Sequence, residues 1–207
     1  MIDIVVLLSV VLVLSLTAYA LLAGADFGGG LWDLLASGQT AERQRATIAH
    51  AIGPVWEANH VWLIIAIVIV FTGFPRAFAE LSTYLHVPLL FVLIGIVLRG
   101  SAFVFRAYGR DDPRHEWFWG RIFAMASTTT PLFLGVIVGA VTEGRLPGTP
   151  EGSFARVFII PWMTLFSLGV GAFAVALFAY LAAVYLTLEA HDPDERAAFR
   201  LRALIAG

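Results

Sequence analysis

Glu57, Asn59 and His60 stand at the head of an apolar run, within the stretch Ala51-Ile52-Gly53-Pro54-Val55-Trp56-Glu57-Ala58-Asn59-His60-Val61-Trp62-Leu63-Ile64. From Ala58 to Pro75 there are 18 residues without a formal charge, His60 counted neutral. That is enough for a helix to cross a hydrocarbon core of about 30 Å. Glu57 and His60 are three apart and share a helix face. A carboxylate at the hydrocarbon edge is costly and points to function. It can accept a proton from water and pass it inward, and an imidazole, which titrates near neutrality, can relay it. The plainer readings are a helix cap for Glu57 and a hydrogen-bonded structural role for His60. The spacing is also the Glu-x-x-His of di-iron bundles, but such sites need a second pair and two further acids. No second Glu-x-x-His occurs, so no metal site is expected.

Asp26 is a second acid inside an apolar segment, after 22 uncharged residues from Ile4 and before Gly28-Gly29-Gly30. It reads as a proton-accessible carboxylate at one end of the first span, or as a helix end at the headgroups. Asp33 follows seven positions later and reads more simply as solvated. The glycine run lacks the Lys-Ser/Thr of a phosphate loop. Arg99 sits seven residues inside Arg106, about two turns deep. A guanidinium there wants an acidic partner, and Asp26 and Glu57 lie at similar depth. The alternative is snorkelling to the interface. His86 is alone in the third apolar segment, where a haem ligand and a helix-contact residue are both conceivable. No haem is expected on this chain, because neither His60 nor His86 has an axial mate in sequence.

The elements that must hold these residues are membrane helices. The chain has 207 residues, 59% of them apolar and 14% charged, against about 45–50% and about 25% in a soluble domain. Its mean hydropathy is +0.85. The fold class expected is all-α: a polytopic bundle of five transmembrane helices. A net charge of −2 gives no reason to expect nucleic acid. Without cysteine there can be no disulfide, iron–sulfur cluster or thiolate metal site. All 13 cations are arginine. Met1-Ile2-Asp3 lacks a positive n-region and the run from Ile4 is too long for a signal sequence, so the first helix is expected to stay.

The five apolar segments are Ile4–Ala25, continuing to Leu34; Pro54–Phe74, with Pro54 in the first helical turn; Leu81–Leu98; Ile122–Thr142; and Val157–Leu188. The last is 32 residues long, so its helix is expected to begin near Pro161. Pro88 and Pro131 are expected to kink their spans. Gly24/Gly28 and Gly135/Gly139 suit close helix approach, and Trp117, Phe118 and Trp119 suit an interfacial belt. Arg43, Arg45, Arg106, Arg110, Arg114, Arg121, Arg196, Arg200 and Arg202 fall on one side of five spans; Arg76, Arg145 and Arg156 fall on the other. That bias puts the N-terminus outside and the tail in the cytoplasm. The expected division is 1–145, a four-helix bundle; 146–190, a loop and fifth helix; and 191–207, a cytoplasmic tail.

Several of these pieces together resemble subunit II of cytochrome bd-type quinol oxidases. They are Gly24-Ala25-Asp26-Phe27-Gly28, read as a turn ending the first helix; the string Pro54 to Ile64; Arg99; and Trp119-Gly120-Arg121-Ile122-Phe123 with Ser127, Pro131 and Gly135-Val136. The likeness covers roughly residues 2–145, and the second-helix string is its most specific part. It implies a bacterial cytoplasmic-membrane complex that oxidises quinol and reduces dioxygen to water. It implies haems b and d and the quinol site in subunit I, with subunit II haem-free. It also implies acids on a cytoplasmic proton route: Glu57, where many members have Asp; Asp26, assigned less surely; and His60 as a weaker relay. Members usually continue into a second bundle. A second polypeptide, small accessory helices and a structural quinone or lipid therefore stay open as companions. Two rivals from other classes are a small proton-coupled transporter or channel, suggested by a glycine-broken first helix beside buried charges, and a purely structural assembly subunit.

Overall fold

The computed structural model describes residues 3–38, 40–108, 113–148 and 151–207. Arg110, counted above with the cytoplasmic arginines, lies outside them. All regular structure among the described residues is helical, in eight helices. Five are long and apolar enough to cross a membrane, as the composition predicts.

Helix α1 (Ile4–Leu35) starts at Asp3, whose carboxylate accepts from the Val5 amide at 3.0 Å. It does not turn or break at the glycines, contrary to the expectation. A Cβ added at Gly28 would lie 2.0 Å from the Phe178 carbonyl oxygen, and one at Gly30 2.2 Å from Ser127 Oγ. The glycines let two neighbouring helices touch the α1 backbone, and that packing offsets their poor helix propensity of about 1 kcal/mol each. An unbroken first helix removes the main attraction of the transporter reading.

Helix α2 (Ala41–Gly73) begins 13 residues before Pro54, so Pro54 is interior and not in the first turn. Its ring removes one backbone hydrogen bond, to the His50 carbonyl, but the helix continues on both sides. Glu57 is therefore a mid-helix residue and caps nothing. After the short α3 (Pro75–Tyr84), which has Pro75 in its first turn, comes α4 (His86–Tyr108). The expected third span shifts accordingly. His86 is its first residue and is exposed. Pro88 falls in its first turn, where a missing N–H breaks no bond, so no kink is needed there.

Helix α5 (Pro113–Glu143) carries Pro131 in its interior. The 32-residue uncharged stretch does not begin one helix near Pro161. It divides into α6 (Phe154–Phe158), a turn, and α7 (Leu165–Glu189). Thr164 sets the start of α7 by accepting from the Ser167 amide at 3.0 Å. Glu143 holds that corner, accepting from the Thr164 and Ser167 hydroxyls. A carboxylate is favoured at a helix N-terminus.

Helix α7 is the hub, packing on α1, α5 and α8, while α1 packs on α2 and α4 on α5. Gly135 and Gly139 meet Gly171 and Ser167 across the α5–α7 seam: a Cβ at Gly135 would lie 2.7 Å from Gly171 Cα. Residues 191–207 are mostly helix α8 (Pro193–Ala206), capped by Asp192. It folds back along α7, so that Gly207 reaches Tyr180. Phe199 and Ala203 are buried beneath it. Its Glu195 takes Arg43 Nε at 2.8 Å and Thr47 Oγ1 at 3.1 Å, and Arg202 donates to Gln44 Oε1 at 2.8 Å. Burial pulls the Arg202 guanidinium down from the usual arginine value.

Candidate functional site

Four spans converge on Asp26. The side chain is fully buried, and so is Arg99 from α4, at 1% exposure. Arg99 Nη2 donates to Asp26 Oδ1 at 2.6 Å and to the Asp26 carbonyl at 2.9 Å; Nη1 donates to Oδ2 at 3.2 Å. This two-pronged grip uses the planar fork that only arginine has. Arg99 Nε donates to Ser127 Oγ of α5 at 3.0 Å, and Asn59 Nδ2 of α2 donates to Asp26 Oδ2 at 3.2 Å. The guanidinium carbon lies over the rings of Phe27 and Phe123, 4.9 and 4.8 Å from their centroids. The cation thus rests on the aromatic electrons of two rings, while its edge is hydrogen-bonded.

Two turns further along α1, Asp33 is buried, not solvated as the simpler reading expected. Arg106 Nη1 donates to both its oxygens at 3.1 Å. Arg45 ties the end of the same helix, donating to the Ala36 carbonyl at 3.1 Å. Asp26 and Asp33 are therefore two arginine-held acids on the inner face of α1.

The second-helix string divides between two faces of α2. Glu57 is exposed and has no hydrogen-bond or ion-pair partner among the described residues. Asn59, two residues on and about 200° round the helix, is buried against Asp26. It does not sit beside Glu57. His60 is half-buried between these faces, with Nδ1 2.8 Å from the Trp56 carbonyl. Only a protonated Nδ1 can make that bond, so the neutral ring keeps its lone pair on Nε2. Trp56 packs edge-on to His60 at 5.1 Å and stacks on Phe103 of α4 at 6.1 Å. The geometry therefore brings Asp26 and Arg99 together, leaves His60 against Trp56, and sets Glu57 on the outward side.

Sequence reasoning missed Asn59 and Ser127 as ligands of the pair, and Phe27 and Phe123 as its walls. The signal for Asn59 was its half-turn offset from Glu57. Nothing local marked Ser127 or Phe123, which reach the site only through the packing of α5. His86 is remote from the cluster, packing edge-on against Phe158 at 4.9 Å. Among the described residues no group of three or more acids and histidines is placed to hold a metal ion.

The family model of cytochrome bd terminal oxidase subunit II matches residues 4–207. Subunit 2 of the cytochrome bd ubiquinol oxidase of Bacillus subtilis is 32% identical over 125 residues, covering 59% of this chain and 36% of that protein. Subunit 2 of the cytochrome bd-I ubiquinol oxidase of Escherichia coli is 30% identical over 130 residues, covering 62% of this chain and 33% of that protein. The matches thus span about a third of each of these two relatives. In a solved structure, the bd oxidase of Geobacillus thermodenitrificans, one chain superposes with a TM-score of 0.72 at 25% identity. It covers 97% of this chain and 61% of that one.

Proposed function

Because the chain belongs to the cytochrome bd terminal oxidase subunit II family, we propose that it serves as the haem-free membrane subunit of a quinol oxidase. In that complex quinol is oxidised and dioxygen reduced to water on haems b and d, and at a quinol site, of the partner subunit I. A second polypeptide supplying the further bundle, small accessory helices and a structural quinone or lipid are further expected companions. The complex sits in the bacterial cytoplasmic membrane, with the N-terminus outside and α8 on the cytoplasmic side, following the arginine bias.

The observation that carries this reading is the division of the α2 string. Glu57 is exposed on a spanning helix, with no hydrogen-bond or ion-pair partner among the described residues. Lipid cannot cover a carboxylate at low cost, so the face of Glu57 is one that another protein, with water, covers. Exposed Val61, Ile64, Val68 and Phe71 continue that face along α2 and suit an apolar seam with subunit I. Reducing dioxygen consumes protons at a buried centre. In this reading Glu57 takes them from the cytoplasmic side and hands them toward the partner. His60, between the two faces, is the relay toward Asp26. Arg99 anchors Asp26 and so fixes α1, α2, α4 and α5 around the route.

The test is oxygen uptake per haem across pH in the assembled complex. Glu57→Gln is nearly isosteric but cannot titrate; it slows uptake while assembly and haem content stay intact. Glu57→Asp keeps much of the activity. A Glu57→Gln complex that matches the parent at every pH places the proton route elsewhere. The haem-free assignment has its own readout: His60→Ala and His86→Ala leave every haem band in place. Loss of one specific band without loss of assembly makes that histidine a ligand.

A further inference from the structure

The polar groups around the Asp26–Arg99 pair do not close among themselves. Tyr19 Oη and Asn59 Oδ1 are buried and have no hydrogen-bond partner among the described residues. Their residues are 7% and 1% exposed. Tyr19 stands two turns before Asp26 on α1, in one buried cluster with Phe27, whose ring lies 4.9 Å from the Arg99 guanidinium. Asn59 holds Asp26 through the other end of the same amide. The amide cannot be turned round, because that would set a carbonyl against a carboxylate. Arg99 adds a third unmatched group. An arginine has five N–H donors; Arg99 directs one from Nε, one from Nη1 and two from Nη2 to Ser127 and Asp26. One Nη1 hydrogen is left.

What remains is two donors, Tyr19 O–H and Arg99 Nη1–H, and one acceptor, Asn59 Oδ1. A cation is repelled by Arg99 and an anion by Asp26. A small neutral molecule that both donates and accepts satisfies all three, and buried waters make about three such bonds on average. Leaving these groups unmatched in a protein interior is expensive. We propose that the Asp26–Arg99 pair is a hydration site, in which ordered water bridges Tyr19, Asn59 and the guanidinium on the side of the pair away from Ser127. The site makes Tyr19 a positioning residue for that water. It also gives Asp26 a mobile hydrogen-bonded neighbour in an otherwise apolar interior. This site does not depend on Glu57 being a proton entry, and the two fail in different measurements.

The experiment is pulsed hydroxyl-radical labelling by X-ray radiolysis of the assembled complex, read by mass spectrometry, which modifies buried side chains next to bound water. Tyr19 is expected to be labelled well above Phe199, a fully buried ring away from the pair. Asn59→Leu, which removes the acceptor, is expected to lower the Tyr19 label several-fold. Tyr19→Phe supplies a second reading that needs no label. If the hydroxyl holds water, the thermal midpoint falls. If the hydroxyl is an unmatched group, removing it leaves the midpoint unchanged or raises it. A Tyr19 label no greater than that of Phe199, or a midpoint that does not fall in Tyr19→Phe, overturns the hydration site.

Discussion

At the scale of single residues, the chain's interior is organised by what Arg99 demands. A guanidinium at 1% exposure needs a counter-charge, in-plane acceptors and something to cover its faces. Asp26 and Phe27 of α1 and Ser127 and Phe123 of α5 supply these. Removing one member of a buried pair strands the other, at a cost of about 3–5 kcal/mol. Arg99→Leu is therefore expected to cut the yield of assembled complex sharply. Adding Asp26→Asn, which removes the stranded charge, is expected to restore part of it. Yield on a quantitative blot is the measurement, and an Arg99→Leu complex that assembles at the parent level would show that the pair anchors nothing. The exposed Glu57 differs in kind: no hydrogen bond or ion pair among the described residues holds it, so its substitution is expected to leave folding untouched and to appear only in turnover.

At the scale of elements, glycine placement decides which helices touch. α1 carries three successive glycines in its interior, yet stays helical for 32 residues because α7 and α5 press against its backbone there. Lipid offers no hydrophobic drive between spans, so close backbone contact and polar ties carry more of the packing. Trp32 Nε1 donating to the Ala179 carbonyl at 2.8 Å is one such tie. Gly28→Ala forces a methyl group onto the Phe178 carbonyl, which cannot swing away as a side chain would. The expected loss is about 1–3 kcal/mol. Gly169→Ala is the control: nothing lies within 4 Å of its added Cβ, so better helix propensity leaves stability unchanged or raised by up to about 1 kcal/mol. Thermal midpoints of the two variants are expected to move in opposite directions or to differ by several degrees. Equal midpoints would mean that the α1–α7 contact is looser than its glycines imply.

At the scale of the whole molecule, the proposed orientation in the membrane rests on the arginine bias. The absence of cysteine makes this simple to check, because each introduced thiol is the only one in the chain. Glu42 near the start of α2 and Glu151 in the loop before α6 are both exposed and lie on opposite sides of the bundle. A membrane-impermeant maleimide added to intact spheroplasts is expected to label Glu151→Cys and to spare Glu42→Cys until the membrane is opened. The reverse pattern inverts the topology and moves Glu57 to the wrong side for proton uptake from the cytoplasm.

How much of this was legible in the residues follows from the range of the forces involved. Hydropathy acts over a span, so five helices and an all-α class could be read from runs such as Ile4–Ala25 and Ala58–Pro75. The Pro54–Ile64 string was a local pattern dense enough to carry the family resemblance. Boundaries were read less well, because a charge-free run is not a helix: Thr164 and Glu143 start α7, and Pro54 is tolerated inside α2. The partners of Arg99 were open in sequence between Asp26 and Glu57. That choice rests on helix rotation, which turns Asn59 inward and Glu57 outward by the half-turn between them. It rests also on the α1 glycines, which let α5 come close enough for Ser127 to reach the guanidinium. The types of residue alone determined that this chain lives in a membrane and keeps acids there. Only the packing of α1, α2, α4 and α5 decided which acid is locked in an ion pair and which is left facing outward, because an ion pair needs its atoms within about 3 Å, and sequence spacing does not set distances between helices.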